Sequence, residues 1–293
     1  MKKRAFIYII IAGIMWGTSG IFVKLLTPYG LDTLQITSLR GLTSALVMCA
    51  YALIFDRSAF RITLSELALL LGSGVVLYLT GACYFTSMQM TSIATAVVLM
   101  YTAPVLVMIY SVAFLGERLT KLKLVSVASM LVGCALVSGV IGGLKFDLVG
   151  ILVGLLSGIS YAAYNVLTKI QMRRNMSPRT AVVYNFIFMS ILAVAVSRPG
   201  VTVSVIAETP LEVIPLALGI GVLTFVLPYF LYTLAMRELP AGTTTALGIV
   251  EPMAATLFGF ILFDEKLDIF SGGGIILILL AVFLLSRTEN DSK

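Results

Sequence analysis

Histidine is absent from this 293-residue chain, which removes both the usual proton relay and the usual metal ligand. The chemistry left to it rests on three charged side chains set inside long apolar stretches: Arg40, Glu251 and Lys24. Arg40 belongs to a polar series, Thr33, Thr37, Arg40 and Ser44, at steps of four, three and four, which is one face of a helix. An unpaired guanidinium at hydrocarbon depth costs at least ~2.5 to 3.5 kcal/mol. Arg40 is therefore expected to face protein or a water-filled cavity, holding an anionic group or fixing packing through helix-end carbonyls. Glu251 shares a face with Thr244, Gly248, Ala255 and Gly259 and is the only acid at such depth. It can serve as a proton carrier, as the fixed partner of Arg40, or as a structural residue beside Pro252.

Lys24 ends a second series, Gly13, Gly17, Gly20 and Lys24, and the same rhythm returns in Gly154, Gly158, Tyr161 and Asn165 at an offset of 141. Small-residue stripes let helix backbones approach closely in lipid, which accounts for the glycines but not for a lysine or an asparagine in line with them. Lys24 can either snorkel to the interface or contact substrate. Trp16, Tyr78, Tyr84, Tyr101, Tyr161, Tyr164 and Tyr229 offer stacking or cation–π surfaces, with core packing or interface anchoring as their ordinary role. Pro104, Pro228 and Pro252 interrupt intramembrane helices and free backbone carbonyls beside a cavity. With Lys24, Arg40 and Glu251 all ionised, the presumed site carries a net charge of +1, which favours a zwitterionic or anionic small molecule.

Several other chemistries fail on missing parts. Gly17-Thr18-Ser19-Gly20 fits the pattern around an intramembrane serine-protease nucleophile, but such a serine needs a base, and those enzymes use histidine. No phosphate-binding GxxxxGK[ST] loop is present, so nucleotide hydrolysis is not expected to drive the protein. Cys49, Cys83 and Cys134 lie singly in apolar stretches, and neither a zinc site nor a disulfide framework follows from them. No enzyme activity, cofactor or metal is expected.

The elements that must position these residues are transmembrane helices. Hydrophobic residues make up 59% of the chain and charged residues 12%, with a mean hydropathy of +1.06, beyond what a water-soluble globule carries. Stretches long enough to cross a ~30 Å hydrocarbon core fall at 5–26, 31–55, 66–88, 92–115, 121–141, 148–170, 179–197, 211–236, 242–263 and 269–286. The first is too long for a signal-peptide core and is expected to be retained. No connecting loop is long enough for a separate soluble domain. With the N-terminus inside, fifteen basic residues fall in cytoplasmic segments and only Lys145, Arg198 and Lys266 outside, so both termini are expected in the cytoplasm. The net charge of +6 is then a topological and lipid-facing signal rather than a nucleic-acid footprint.

The spans also repeat. At an offset of 148, Tyr84 pairs with Tyr232, Met88 with Met236, Thr95 with Thr243, Leu99 with Leu247, Pro104 with Pro252, Glu117 with Glu265 and Leu119 with Leu267. Five spans per copy make the second copy enter the bilayer from the opposite side. The expected fold is therefore an all-α integral membrane protein of ten transmembrane helices in two inverted five-helix repeats, residues 1–145 and 146–293, with the site between them near the midplane.

These motifs carry a family resemblance. Trp16-Gly17 followed by Lys24, Arg40, Tyr84, Pro104 and Leu115-Gly116-Glu117-Arg118-Leu119 are matched in the second copy by Tyr232, Leu239-Pro240-Ala241, Glu251-Pro252 and Glu265-Lys266-Leu267. In that order the chain resembles a ten-helix, EamA-type member of the drug/metabolite transporter superfamily along essentially its whole length. It departs from the pattern at Phe263-Asp264, where the family usually has Leu-Gly, and at Asn165, where the first copy has Lys24. The resemblance implies a secondary transporter of the inner or plasma membrane that exports amino acids or related small metabolites, as a monomer or homodimer. An importer or exchanger of another organic ion or drug is the alternative. It further implies a cavity framed by spans one to four and six to nine, with the fifth and tenth at the periphery. Reporter fusions after Lys145 and at Lys293 are expected on opposite sides of the membrane, and finding both on one side would exclude the inverted arrangement.

Overall fold

The computed structural model describes residues 2–139, 147–264 and 266–291. Lys145, Glu265, Lys293 and the 145/146 boundary between the copies lie outside the described residues. Fifteen α-helices are described: α1 (Lys2–Gly17), α2 (Ser19–Leu26), α3 (Thr33–Phe55), α4 (Leu64–Met90), α5 (Ile93–Met100), α6 (Ala103–Phe114), α7 (Lys121–Val137), α8 (Leu148–Arg173), α9 (Pro178–Val196), α10 (Pro199–Glu208), α11 (Pro210–Gly221), α12 (Leu227–Glu238), α13 (Ala241–Leu247), α14 (Val250–Phe263) and α15 (Ile269–Asp291). Among the described residues no strand is present.

Nine of the segments so built are long and apolar enough to cross a membrane. The fifth expected span, the one not among these nine, is represented by α7, whose 17 residues reach about 25 Å at ~1.5 Å per residue; its expected end at 140–141 lies outside the described residues. Four spans expected as single stretches are broken. The first divides at Thr18 between α1 and α2, the fourth at Tyr101–Thr102, and the ninth at Gly248–Ile249. In the eighth, a π-helical turn over Val222–Val226 joins α11 to α12. Pro104 and Pro228 stand in the first turns of α6 and α12, and Pro252 in that of α14. A proline there gives up an N–H that the first turn does not need, while the chain before it cannot continue as helix. The breaks in the fourth and ninth spans and the π-helical turn in the eighth therefore sit just ahead of a proline, whereas the break at Thr18 has none in the turn that follows. The short α10 has no counterpart in the apolar pattern, although Pro199 and Pro210 mark its start and the start of α11.

Local chemistry starts the long helices. Asp32 and Gln35 form a reciprocal capping box on α3, Thr63 and Glu66 form one on α4, and Asp147 caps α8. At one end of the bundle Arg179 Nη1 lies 2.6 Å from Asp56 Oδ2, tying α3 to α9. The Ser58 hydroxyl, followed by Arg179, holds the Asp56 carboxyl below the usual carboxylate range.

Helix α4 packs along α8, α3 along α9, α1 along α12 and α14, α5 along α8, and α7 along α15. The glycine stripes make the closest of these approaches. A β-carbon on Gly17 would lie 2.7 Å from Ala254 Cβ, and one on Gly158 only 2.5 Å from Thr102 Oγ1 and 2.6 Å from the Leu99 carbonyl oxygen. Gly20, by contrast, has no atom within 4 Å of that position. Gly158→Val is accordingly expected to cost about 1–3 kcal/mol by overpacking, seen as a lowered midpoint of thermal unfolding in detergent. Gly20→Ala is expected to leave the midpoint unchanged or raise it slightly; equal effects would dismiss the close-packing reading.

Candidate functional site

The residues that converge lie where the broken spans meet. Helix α3 brings Arg40 in from one side. Its polar companions satisfy the helix itself, Thr37 Oγ1 donating to the Thr33 carbonyl at 2.8 Å and Ser44 Oγ to those of Arg40 at 2.6 Å and Gly221 at 3.1 Å. The Arg40 side chain makes no such bond among the described residues. Its guanidinium carbon stands 4.1 Å from the centroid of the Phe225 ring. Its Nε is fully enclosed and has no hydrogen-bond partner.

The π-helical turn sets the aromatic wall behind it. An extra residue in the turn rotates the rest of the helix about its axis, and such turns recur at functional sites. Phe225 and Tyr229 face one another at 4.9 Å, Tyr229 meets Trp16 edge-on at 5.1 Å, and Tyr164 and Phe186 each approach Tyr229 at 5.7 Å. Trp16 also approaches Tyr232 at 5.5 Å. The Tyr232 hydroxyl donates to Asn165 Oδ1 at 2.7 Å, so Asn165 is held against this wall from α8. Trp16 Nε1 is a buried donor without a hydrogen-bond partner among the described residues, while the Asn165 and Asn185 amides face the Tyr161 and Tyr164 hydroxyls without close hydrogen-bond geometry.

Opposite Arg40, the two broken spans touch. The Tyr101 hydroxyl lies 2.8 Å from Glu251 Oε2 and 3.2 Å from the Gly248 carbonyl oxygen. Gly248 is the residue four before Pro252, whose missing N–H cannot serve that carbonyl; the Glu251 N–H takes it instead at 2.9 Å, and Tyr101 adds a second donor. Tyr161 stands edge-on to Tyr101 at 6.5 Å between centroids. Arg40 and Glu251 interact electrostatically but form no ion pair within 4.0 Å. The direct partner of Glu251 is thus Tyr101, not Arg40.

Of the residues singled out in the sequence, Trp16, Arg40, Tyr101, Tyr161, Asn165, Tyr229 and Glu251 come together. Lys24 does not: it is exposed on α2, its Nζ 3.9 Å from the centroid of the Phe263 ring, with Gly13 and Gly17 spent on packing against α14. Tyr78 is half-buried on α4 and has no ring partner among the described residues. Tyr84 packs against Phe85 at 5.2 Å and interacts electrostatically with Glu251. The structure adds Phe225, Phe186, Tyr232 and Asn185. Phe225, Tyr229 and Tyr232 run at steps of four and three, the spacing that exposed the Arg40 stripe, so two of the four carried a readable signal. Among the described residues no group of three or more His, Cys, Asp or Glu side chains could hold a metal ion.

A bundle of broken, membrane-long helices around a charged and aromatic centre defines a multi-pass membrane transporter. The chain belongs to the EamA-like transporter family, within the drug/metabolite transporter superfamily; the family model matches it twice, at residues 3–139 and 148–287. It is 31% identical to an uncharacterized transporter of Archaeoglobus fulgidus over 279 residues, covering 95% of each chain. Identity to the uncharacterized transporter YwfM of Bacillus subtilis is 25%, covering 98% of this chain and 95% of the other. The pseudopaline exporter CntI of Pseudomonas aeruginosa is 24% identical over 88% of each chain. A crystal structure with 17% identity superposes with a TM-score of 0.82 over 99% of this chain and 100% of the other, a likeness of fold.

An arginine retained without an internal partner should burden the ligand-free protein, since replacing buried charges by apolar groups of similar volume is often stabilising by ~1–4 kcal/mol. Arg40→Met is expected to raise the thermal unfolding midpoint, whereas Tyr101→Phe, which strips a hydrogen bond from Glu251, should lower stability by about 1–3 kcal/mol. A fall in the midpoint for Arg40→Met would make Arg40 a structural residue.

Proposed function

We propose that this chain is a secondary transporter of the plasma or inner membrane, with both termini cytoplasmic, that exports amino acids or related small metabolites by alternating access. The observation that carries this reading is the Arg40 guanidinium, laid on Phe225, with its enclosed Nε lacking a hydrogen-bond partner among the described residues. A substrate carboxylate fits that fork, which offers paired donors in a plane. Glu251, oriented by Tyr101, receives the ammonium end, and Trp16, Phe225 and Tyr229 receive the apolar part. Arg40 and Glu251 do not pair with each other within 4.0 Å, so each charge is left for one end of a zwitterion. The name of the Pseudomonas aeruginosa relative, an exporter, supports the outward direction.

Alternation draws support from how the two copies pack. Exchanging the copies turns the α4–α8 contact into α12–α1 and the α6–α8 contact into α14–α1, while α3–α9 and α7–α15 map onto themselves; all are present. The glycine contacts, however, differ in register. Gly13 and Gly17 abut Val250 and Ala254, whereas their counterparts Gly154 and Gly158 abut Leu99 and Thr102, which correspond to Leu247 and Val250 at the 148 offset. That is a shift of about one helical turn, ~5.4 Å. Exchange of the two registers is the motion we assign to the transport cycle.

Thermal-shift screening of purified protein against amino acids, nucleobases and organic cations identifies the ligand class; stabilisation by organic cations alone would reject the carboxylate reading. With a hit in proteoliposomes, Arg40→Ala and Arg40→Lys are each expected to weaken transport by about tenfold or more, the value of a charge-assisted hydrogen bond of ~1.5–3 kcal/mol. Glu251→Gln is expected to impair counterflow exchange together with concentrative transport. Loss of concentrative transport alone would make Glu251 a proton carrier, and unchanged activity in both modes would remove it from the mechanism.

A further inference from the structure

Helices α6 and α7 are joined by only residues 115–120, yet they diverge. Helix α6 packs on α13 and α8, while α7 is drawn to α15, where a β-carbon on Gly133 would lie 2.8 Å from Ile278 Cγ1. The divergence opens a cleft of about 450 Å³ between them, within the ~300–1,000 Å³ range of sites that bury small ligands. Among the described residues no polar side chain lines it: its walls include Val105, Ile109, Val112, Leu124 and Leu131, and Leu119 of the connecting loop closes one end. Ile109 and Leu124 are 62% and 55% exposed, so the cleft opens sideways, toward the hydrocarbon of a bilayer. A polar metabolite would lose its hydration there and gain nothing, whereas an acyl chain loses nothing.

The mouth of the cleft is basic. Arg118 and Lys121 flank the Leu119 end, and both are exposed. Neither takes part in an ion pair among the described residues. The nearest acid in sequence, Glu117, is turned away, its Oε1 accepting the Ala241 N–H at 2.7 Å. Arg173 Nη2 donates to the Leu115 carbonyl at 2.7 Å, bringing a third cation to the same loop. Helix α7 starts here, and Thr120 Oγ1 takes only the N–H of Lys123, at 3.2 Å, so the first turn retains N–H groups and the positive end of the dipole for an anion. An apolar slot of acyl-chain character thus ends at two cations without an ion pair among the described residues and a helix N-terminus.

We propose that the α6–α7 cleft is a binding site for an anionic phospholipid, one acyl chain lying against Ile109, Val112 and Leu124 and the phosphate held by Arg118, Lys121 and the first turn of α7. The site is separate from the Arg40–Glu251 centre and rests only on the placement of the chain in a membrane. The phosphate would sit where the positive charge is unopposed, and the chain would fill the gap that divergence of the two helices leaves open.

Native mass spectrometry and thermal unfolding of the delipidated full-length protein test this with dioleoyl-phosphatidylglycerol, dioleoyl-phosphatidylcholine and inorganic phosphate. Phosphatidylglycerol is expected to be retained and to raise the unfolding midpoint, with phosphatidylcholine much weaker and inorganic phosphate without effect. The double variant Arg118→Gln/Lys121→Gln should bind phosphatidylglycerol about 30-fold more weakly, from ~1 kcal/mol per basic residue at an anionic headgroup. Arg57→Gln/Arg61→Gln, on a different loop, should bind as the unaltered protein does. Val112→Trp, which fills the cleft from its lipid-facing wall, should abolish retention, and Ile109→Trp provides a second filled cleft if the first variant unfolds. Equal response to the two lipids, an unchanged double variant, or stabilisation by phosphate alone would overturn the proposal. So would a dimer broken by Val112→Trp without lipid adducts, which would assign the cleft to a second copy of this chain.

Discussion

In hydrocarbon no water meets an open peptide group, so a helix can be interrupted at membrane depth only where other protein groups take over its freed N–H and C=O. That constraint governs the centre of this molecule. The fourth and ninth spans break at corresponding places, ahead of Pro104 and Pro252, and each break is served from nearby. Thr102 Oγ1 bonds the Leu99 carbonyl at 2.7 Å, and the Tyr101 hydroxyl reaches across to the Gly248 carbonyl. The break also decides where Glu251 lies, in the first turn of α14, where the helix dipole favours a carboxylate. With Tyr101 and a helix N-terminus as company, Glu251 does not require Arg40.

Arg40 is consequently the least satisfied group of the centre. Its contact with Phe225 is worth about 0.5–2 kcal/mol, less than the several kcal/mol that a desolvated ion costs. Trp16 Nε1 and the amides of Asn165 and Asn185, the latter two facing tyrosine hydroxyls without close hydrogen-bond geometry, add incompletely satisfied buried polar atoms around the same aromatic cluster. A core selected for stability alone would fill such positions with apolar side chains. Here they form a wall of rings and incompletely satisfied polar atoms at the centre of the bundle.

The periphery follows a different rule. Helices α7 and α15 pack mainly on each other, with Gly133 and Gly274 in backbone contact, a β-carbon on Gly274 lying 2.7 Å from the Gly133 carbonyl oxygen. In lipid that association comes from close van der Waals fit rather than from expulsion of water. It draws α7 away from α6 and leaves the lateral cleft, so one tight interface creates the looseness of its neighbour.

The order of the spans, the doubled motifs and the family were legible in the sequence, and their number approximately, because apolar length and the polar exceptions to it are local properties that the bilayer imposes residue by residue. Arg40, Glu251, Tyr101 and Tyr229 stood out for the same reason, being costly or unusual at depth. Partnership was not legible. Nothing in the spacing of Arg40 and Glu251 reveals that Tyr101 from another span takes the carboxylate, or that Phe225 underlies the guanidinium after a π-helical turn. Lys24, in perfect register with its glycines, is drawn off toward Phe263 because the helix breaks at Thr18 beneath it. Depth and periodicity are written along one helix. Contact depends on how helices distant in sequence break, rotate and approach, and that is decided only when their backbones pack.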